Sequence, residues 1–367
     1  FLEPFHQKTE AYAAANQLPD VIYMWPGGRS TTLHTKRLVK DLRPLLGEDA
    51  KYFSEAVLAP QTAGYLAELP NTMTSSHALY VNVGLLQELG LEIPETYEDL
   101  VAMVPVLKAN GLDTILMGAQ DDWVIQSCLF STIVGRLVGD KKMDEIIAGE
   151  AKFTDSEFVG ALEFYGRLFA DGVLHRKIMN TTYGEVNGLF AAGRAPFMID
   201  GDWKVGNFIT DTSTGEALIP VDKQDEFKMI IFPAIPGEIN PNSASTVVGT
   251  GYGMSANIPA GSAKEAAAWE LIKWLQSVEV QKLRLETGGT IPSRIDVTSD
   301  QLEPLVNERL GYYALIETGT YVLDSVLAGE VYLPINIGLQ EIGLGLATPM
   351  EVAERTQEAY DAWKANQ

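Results

Sequence analysis

The sequence predicts an α/β protein with two domains or lobes. Its 367 residues exceed what one ordinary hydrophobic core supports. Residues 21–38 read as a short strand, a glycine loop and a helix, which is an α/β unit. The apolar run at residues 195–199 suits a buried strand and stops at the stretch 200–203 (DGDW). The ends of such strands lie at the sheet edge where open α/β proteins bind ligands.

Helices and strands alternate through the first part of the chain. Helices are predicted at residues 5–17, 84–90 and 96–110, and strands at residues 21–25, 78–82 and 114–117. The third helix begins with a capping box, in which Thr96 and Asp99 bond each other's backbone N–H groups. Pro105 predicts a kink or an early end of that helix.

The second part of the chain continues this pattern. Capping boxes at residues 154–157 and 262–265 each predict the start of a helix. A strand is predicted at residues 228–232, and residues 246–254 form a glycine-studded strand or turn. The tail from residue 312 is predicted to be largely helical, with residues 350–363 as its last helix.

Composition and charge exclude several classes of function. The formal net charge of −22 argues against nucleic acid, an anionic membrane surface or a polyanionic substrate as partner. No apolar run reaches the roughly 18 residues of a membrane-spanning helix. The single cysteine, Cys128, excludes an internal disulfide and is expected to be a small buried residue. The four histidines lack metal-ligand spacing, so no metal is expected. No cofactor is expected either, because the loop at Gly27 and Gly28 lacks the G-x-G-x-x-G pattern and no G-x-x-x-x-G-K-S/T motif is present.

Three predicted strand ends carry aromatic or acidic side chains. A carboxylate offers strong acceptors to sugar hydroxyls, and an indole offers a flat apolar face to the C–H groups of a sugar ring. Burying such a face contributes roughly 25 cal/mol per Å². The three groups are Trp25 with Arg29, Asp121 or Asp122 with Trp123, and Asp202 with Trp203.

These side chains also have structural interpretations. Taken alone, the stretch 201–203 is typical of a turn with a capping Asp202 and a core tryptophan. Arg29 fits a solvated loop residue as well as it fits a ligand contact. One of Asp121 and Asp122 is expected to cap the next helix.

Several motifs follow one another in a fixed order along nearly the whole chain. The most specific are at residues 79–82 (LYVN), 85–91 (LLQELGL) and 94–100 (PETYEDL). Weaker ones are at residues 18–22 (LPDVI), 201–203 (GDW), 251–254 (GYGM) and 288–292 (GGTIP). Together they resemble the extracellular solute-binding proteins that feed sugar ABC transporters, the family containing the maltodextrin-binding proteins.

The resemblance implies a periplasmic-binding-protein-like fold of type II, with two α/β lobes, hinge strands and a ligand cleft between the lobes. The first lobe would take residues 1–77 and 247–292, and the second residues 78–246 and 293–367. The chain would cross between lobes near residues 77–79, 245–248 and 292–295. This family usually has one more strand before the position of Phe1, and no initiator methionine is present, so a processed or truncated start is expected.

The resemblance also implies candidate ligand-binding residues. Family position supports Trp25, Asp122, Trp123 and Trp203 most, and Asp202 less. Further candidates in the positions that border the family's cleft are Gly249, Thr250, Tyr252, Tyr332 and Asn336. His77, at the first hinge, would either reach the ligand or pack the hinge.

The implied function is capture of a sugar or oligosaccharide by closure of the lobes, followed by delivery to the permease subunits of an ABC transporter. The protein would be a monomer without enzymatic activity. It would lie outside the cytoplasmic membrane, either free or lipid-anchored.

Three other functions compete with this one. An enzyme acting on sugars would use Asp122 and Asp202 as an acid/base pair. The same fold could bind a polyol, a sugar phosphate or a peptide, although a phosphate would need more cations than Arg29 alone. A scaffold or adhesion protein would bind no small ligand.

Overall fold

The computed structural model describes residues 2–25, 27–59 and 64–366. Its nine named strands, in chain order, are β1 Val21–Met24, β2 Leu69–Pro70, β3 Ser75–Asn82, β4 Ile115–Leu116, β5 Phe197–Gly201, β6 Phe227–Ile230, β7 Ser243–Val247, β8 Gly251–Met254 and β9 Thr318–Thr320.

Helices surround these strands in the described part of the chain. Those before residue 150 are α1 Leu2–Ala14, α2 Thr31–Thr35, α3 Arg43–Leu46, α4 Glu55–Leu58, α5 Val83–Glu88, α6 Tyr97–Ala109, α7 Asp122–Ile125, α8 Ser131–Leu137 and α9 Asp140–Ala148. Those after it are α10 Ser156–Ala170, α11 Glu185–Ala191, α12 Val205–Phe208, α13 Ala263–Leu275, α14 Val278–Gly288, α15 Pro304–Tyr312, α16 Leu323–Val326, α17 Gly329–Leu344 and α18 Pro349–Ala365.

The chain divides into two compact units, each built from two separate segments. Unit 1 comprises Phe1–Ser75 and Val247–Gln301, and unit 2 comprises Ser76–Thr246 and Leu302–Gln367. The first boundary lies two residues before residue 77, the expected end of the first lobe, and the second lies between Thr246 and Val247; the division into two ligand-binding lobes stays a prediction. The third boundary lies nine residues after the expected residue 292.

Unit 1 is organised around a three-stranded antiparallel sheet in the order β1-β8-β2. Its central strand contains two glycines because the neighbouring strands approach closely. A Cβ at Gly251 would lie 2.4 Å from the carbonyl oxygen of Leu69, and one at Gly253 would lie 2.5 Å from Sδ of Met24. Helix α13 packs Trp269 and Ile272 into the apolar core beside this sheet. Because this helix is apolar around most of its circumference, the sequence predicts both Trp269 and Trp274 as core residues. The prediction is confirmed for Trp269 and wrong for Trp274, which is 57% exposed.

Unit 2 contains a six-stranded sheet in which β4, β5, β3, β7 and β9 are neighbours and β6 also pairs with β3. Strand β5 pairs in parallel with β4 and antiparallel with β3. Because β4 and β5 run in the same direction, the residues that follow both strands lie at one edge of the sheet. That edge therefore receives the segments beginning at Met117 and at Asp202.

The expected capping boxes have different outcomes. The Thr96–Asp99 box is present, and its helix α6 runs through Pro105 to Ala109 rather than ending early. The box at residues 154–157 is wrong, because Asp155 occupies the cap position and its carboxylate binds Lys142 instead. Ser262 does accept from the backbone N–H of Glu265, but the Glu265 carboxylate binds Lys40 and the backbone of Gly261.

A π-helical turn, Gln126–Phe130, joins α7 to α8 and carries Cys128. Cys128 is fully buried, as expected of a small apolar residue. No helix within the described ranges combines the length and apolar character needed to cross a membrane.

Candidate functional site

Unit 1 presents an array of aromatic rings around β1. Tyr23 and Trp25 are two residues apart, so an extended chain places them on one face, and their ring centroids lie 4.8 Å apart. Phe5 and His6 of α1 contact the same indole at 5.4 and 4.8 Å. Trp25 is half-buried within this array, which leaves part of its ring available.

The hydroxyl groups of this array are connected to each other. Thr250 Oγ1 lies 2.5 Å from the Tyr23 hydroxyl and donates to Oδ1 of Asn71 at 3.2 Å. The backbone N–H of Asn71 donates to the carbonyl of Thr250 at 2.8 Å. These bonds join the residue before β8 to the segment after β2. The Thr250 hydroxyl therefore already donates its proton to a partner within unit 1.

Two further predicted residues flank Thr250. Tyr252 lies 5.3 Å from the Tyr23 ring, and its hydroxyl accepts from Arg284 at 3.2 Å. A Cβ at Gly249 would lie 1.8 Å from Cγ2 of Thr72, so packing inside the unit explains this glycine. The backbone of Arg29 belongs to the turn Gly27–Ser30, whereas its side chain lies outside the described residues.

In unit 2, Trp203 lies at the end of β5 and is half-buried. Its Nε1–H donates to the hydroxyl of Tyr183 at 2.5 Å, and its ring meets the edge of His77 at 5.5 Å between centroids. The six-membered ring of the indole lies against Gly201, where a Cβ would come within 2.2 Å. Gly201 is therefore required by the position of Trp203.

Trp123 joins the same group from α7, seven residues after the end of β4. Its ring lies 5.1 Å from that of Tyr183, so Tyr183 contacts both tryptophans. Asp122 is half-buried in the first turn of α7. Asp121 occupies the cap position of α7, yet its carboxylate accepts from the backbone N–H of Tyr183 at 3.1 Å and makes no cap bond. We call Trp123, Tyr183 and Trp203 the unit 2 aromatic surface.

A buried charged pair lies beside this surface. Nζ of Lys204 donates to the carbonyl of Tyr183 at 2.6 Å and lies 3.7 Å from Oδ2 of Asp200. Burial raises the pKa of Asp200 to about 6 and lowers that of Lys204. Asp200 Oδ1 accepts from the backbone N–H of Gly201 at 2.7 Å, which ties the pair to the end of β5.

Asp202 does not have the role predicted for it. The residue is 0% exposed, so its carboxylate cannot accept a hydrogen bond from a ligand hydroxyl in this structure. Oδ2 accepts from Arg309 at 2.8 Å and from the Tyr313 hydroxyl at 2.6 Å, and Oδ1 accepts from the backbone of Ser76 at 3.3 Å. The cap position of the following turn is occupied by Gly201 and not by Asp202. Asp202 is an internal ion-pair residue.

His77 is likewise part of the interior. It is buried, its Nδ1 lies 2.6 Å from the Ser245 hydroxyl, and its carbonyl accepts from Tyr312 at 2.6 Å. Burial lowers the pKa of His77 to about 4, so the ring is neutral near pH 7. Of its two predicted roles, the packing role fits these contacts and ligand contact does not.

The two candidates from the tail are on α17. Tyr332 and Asn336 are one turn apart and both are buried. Oδ1 of Asn336 accepts no hydrogen bond from the residues that the structure describes. Neither side chain presents an exposed surface in this structure, so their assignment as ligand residues stays a prediction.

Several residues of these networks were not predicted from the sequence, among them Tyr23, Tyr183, Arg284 and Arg309. Tyr23 could have been predicted, because it lies two residues before Trp25 in an extended segment and therefore on the same face. Tyr183, Arg284 and Arg309 could not, since each is joined to its partner by the tertiary fold alone. Tyr183 and Trp203 are separated by 20 residues, and Arg309 and Asp202 by 107.

The fold and its aromatic surfaces define a two-unit α/β protein of the periplasmic-binding-protein-like class. The family model for bacterial extracellular solute-binding proteins matches residues 4–282. The chain belongs to this family of extracellular binding proteins, as its sequence motifs indicate.

Two relatives illustrate the sequence similarity. An uncharacterized ABC transporter extracellular-binding protein of Pyrococcus horikoshii is 23% identical over 81% of this chain. The lipoprotein LipO of Bacillus subtilis is 20% identical over 59% of it. The matched regions span 62% and 43% of the length of these two relatives.

Solved structures confirm the fold. A chitin oligosaccharide binding protein, 22% identical, superposes with a TM-score of 0.85 over 98% of this chain and 88% of its own. The maltose/maltodextrin-binding domain MalE of Bdellovibrio bacteriovorus, solved with maltotriose, is 20% identical with a TM-score of 0.75 over 99% of this chain and 89% of its own.

Proposed function

We propose that this protein is the substrate-binding component of an ABC importer and binds a neutral sugar or oligosaccharide. The unit 2 aromatic surface is the main support, because two indoles and a phenol are in mutual contact beside the end of β5. Aromatic faces of this kind stack on the C–H faces of sugars. The Tyr23 and Trp25 rings of unit 1 offer a second such surface.

The charged groups near these surfaces favour a neutral ligand. The Lys204 ammonium is buried against Tyr183 and Asp200, and Arg284 donates to Tyr252 and to the carbonyl of Leu275. Among the side chains that the structure describes, these two cations are therefore committed to the protein. A sugar phosphate would need cations that remain available to it.

An enzymatic function has less support. The acid/base pair considered from the sequence required both Asp122 and Asp202 to face a substrate. The Asp202 carboxylate is enclosed by Arg309 and Tyr313, which removes one member of that pair. We propose that the protein binds its sugar without altering it. Incubation with oligosaccharides, followed by chromatography for shortened products, tests this directly.

The transport partners follow from the same proposal. Delivery would be to the permease subunits of the importer, with the protein acting as a monomer outside the cytoplasmic membrane. A lipid anchor is part of the proposal and is consistent with similarity to a lipoprotein. Mass spectrometry of the protein isolated from its own membranes tests the anchor.

A thermal-shift screen tests the proposed ligand class. A ligand that binds only the folded state stabilises by RT ln(1 + [L]/Kd), about 2.7 kcal/mol at a hundredfold excess over Kd. We expect one class of neutral mono- or oligosaccharide to raise the melting temperature. Stabilisation by sugar phosphates or peptides alone would contradict the proposal.

A further inference from the structure

Lys204 makes an unusual set of contacts for a lysine. It directly follows Trp203, its side chain is 1% exposed, and its Nζ lies 3.2 Å from the centroid of the Tyr183 ring. The same Nζ donates to the Tyr183 carbonyl at 2.6 Å. One ammonium group therefore holds both the backbone and the ring of Tyr183.

Burying an ammonium group is unfavourable unless its charge and its donors are satisfied. Lys204 has three such partners: the Tyr183 carbonyl, the Tyr183 ring face and the Asp200 carboxylate at 3.7 Å. Cation–π attraction is strongest where water is excluded, as it is here. A leucine or methionine would fill the same space without needing partners for a charge and for N–H donors. The presence of a charged group at position 204 therefore calls for an explanation.

The contacts of Tyr183 supply that explanation. Its hydroxyl accepts from the Trp203 indole at 2.5 Å, and its ring lies 5.1 Å from that of Trp123. Tyr183 itself lies in a turn before α11 rather than in a strand or helix. The residue that orients both tryptophans therefore depends on side-chain contacts for its own orientation.

We infer that Lys204 is a positioning residue for the unit 2 aromatic surface. Its ammonium fixes the Tyr183 ring, and the Tyr183 hydroxyl then sets the direction of the Trp203 indole. Lys204 tunes sugar affinity in this way without touching the sugar. The inference rests on the proposed function for its effect on affinity, but the link from Lys204 to Trp203 can be measured without any ligand.

The test uses the indole N–H signals of the six tryptophans in the ¹⁵N-labelled, ligand-free protein. Trp203→Phe assigns the Trp203 signal, and Tyr183→Phe removes the acceptor of its hydrogen bond. Lys204→Met should displace the Trp203 signal from its wild-type position, as Tyr183→Phe does. The control is Lys228→Met in the same unit, since the Lys228 side chain is 44% exposed and pairs with Glu308; this variant should leave the signal in place.

Affinity is measured on the same variants with maltotriose, chitotriose and xylotriose as probes. For a probe that wild type binds, Lys204→Met should weaken binding about tenfold and Lys228→Met less than twofold. A displaced Trp203 signal with no probe bound by wild type would count against a sugar ligand while supporting the Lys204–Trp203 link.

A Trp203 signal at its wild-type position in Lys204→Met overturns the inference. If that variant does not fold, Lys204→Gln takes its place, because glutamine can still donate to the Tyr183 carbonyl but carries no charge for the ring. An undisplaced signal in Lys204→Gln, or in Tyr183→Phe, overturns the inference equally.

Discussion

Arg309 and Asp202 form an ion pair in the interior of unit 2, with Nε donating to Oδ2 at 2.8 Å. Arg309 belongs to α15, and Asp202 directly follows β5. The Tyr313 hydroxyl donates to the same carboxylate oxygen at 2.6 Å. The pair thus links α15, which follows the unit boundary between Gln301 and Leu302, to the segment after β5 that contains Trp203.

Removing the cation of this pair should destabilise the protein strongly. Arg309→Met leaves the buried Asp202 carboxylate without its counter-ion, which typically costs about 3–5 kcal/mol. Urea unfolding followed by circular dichroism measures this loss. The matched control is Arg355→Met, which breaks the more exposed pair with Glu341 and should cost about 1 kcal/mol or less. Similar losses in the two variants would refute the role given to Arg309.

Glu68 should make the protein less stable as the pH rises. Burial raises the pKa of Glu68 to about 8 from an ordinary value of 4.5. Its two carboxyl oxygens accept no hydrogen bond from the described residues. Between these two pH values the folded protein holds a proton that the unfolded chain has released, so this contribution to stability declines across that window.

Glu68→Gln removes this dependence. The difference in free energy of unfolding between Glu68→Gln and wild type should change little from pH 3.5 to 4.5. From pH 4.5 to 8 it should shift in favour of the variant, by on the order of a few kcal/mol. Urea titrations at several pH values measure the difference. Glu358→Gln, on an exposed position of α18, is the control and should show no such trend. A constant difference for Glu68→Gln across the range would contradict a proton held on Glu68.

Enlarging Gly201 should disturb the position of Trp203. A Cβ there would lie 2.2 Å from the indole, whereas the backbone φ of −71° is acceptable to any residue. Gly201→Ala should therefore weaken sugar binding by at least tenfold through displacement of the ring. Gly188→Ala in α11 is the control, because no atom lies within 4 Å of its added Cβ and alanine favours a helix. Equal affinities in the two variants would show that the ring position is unimportant.

The His77 imidazole should stay neutral at pH values well below 6.5, the ordinary pKa of a histidine. Burial lowers its pKa to about 4 from 6.5, so its contribution to stability is present above pH 6.5 and is lost as the pH falls through 4. Proton–carbon NMR of labelled histidines measures this, with the exposed His175 as the comparison signal. A His77 signal with a midpoint near 6.5 would show that the ring is accessible to solvent.

Much of the fold could be predicted because it depends on local patterns. The strand at residues 78–82, the Thr96 capping box and the buried Cys128 each follow from neighbouring residues. Of the two outcomes expected at Pro105, a kink or an early end, the early end does not occur. A missing N–H removes one hydrogen bond, while packing of Leu100, Met103 and Leu107 maintains the helix.

The site could be predicted only in part, for a physical reason. Strand ends can be read from the sequence, so Trp123 and Trp203 were each placed after a predicted strand. That the two segments meet at one end of the sheet follows from the parallel pairing of β4 and β5, which the sequence does not show. Whether an acid at such an end faces solvent or an internal cation depends on distant residues, and for Asp202 that cation is Arg309. His77 was ambiguous for the same reason, since Ser245 and Tyr312 are far away in the sequence.

Titration calorimetry of wild type and Trp203→Ala with the sugar found in the thermal-shift screen tests the central claim most directly. The control is Trp274→Ala, whose side chain lies on α13 and is 57% exposed. Wild type and Trp274→Ala should bind with equal affinity, and Trp203→Ala should bind at least a hundredfold more weakly while keeping its circular dichroism spectrum. Wild-type affinity in a folded Trp203→Ala protein would contradict the claim that the unit 2 aromatic surface binds the sugar.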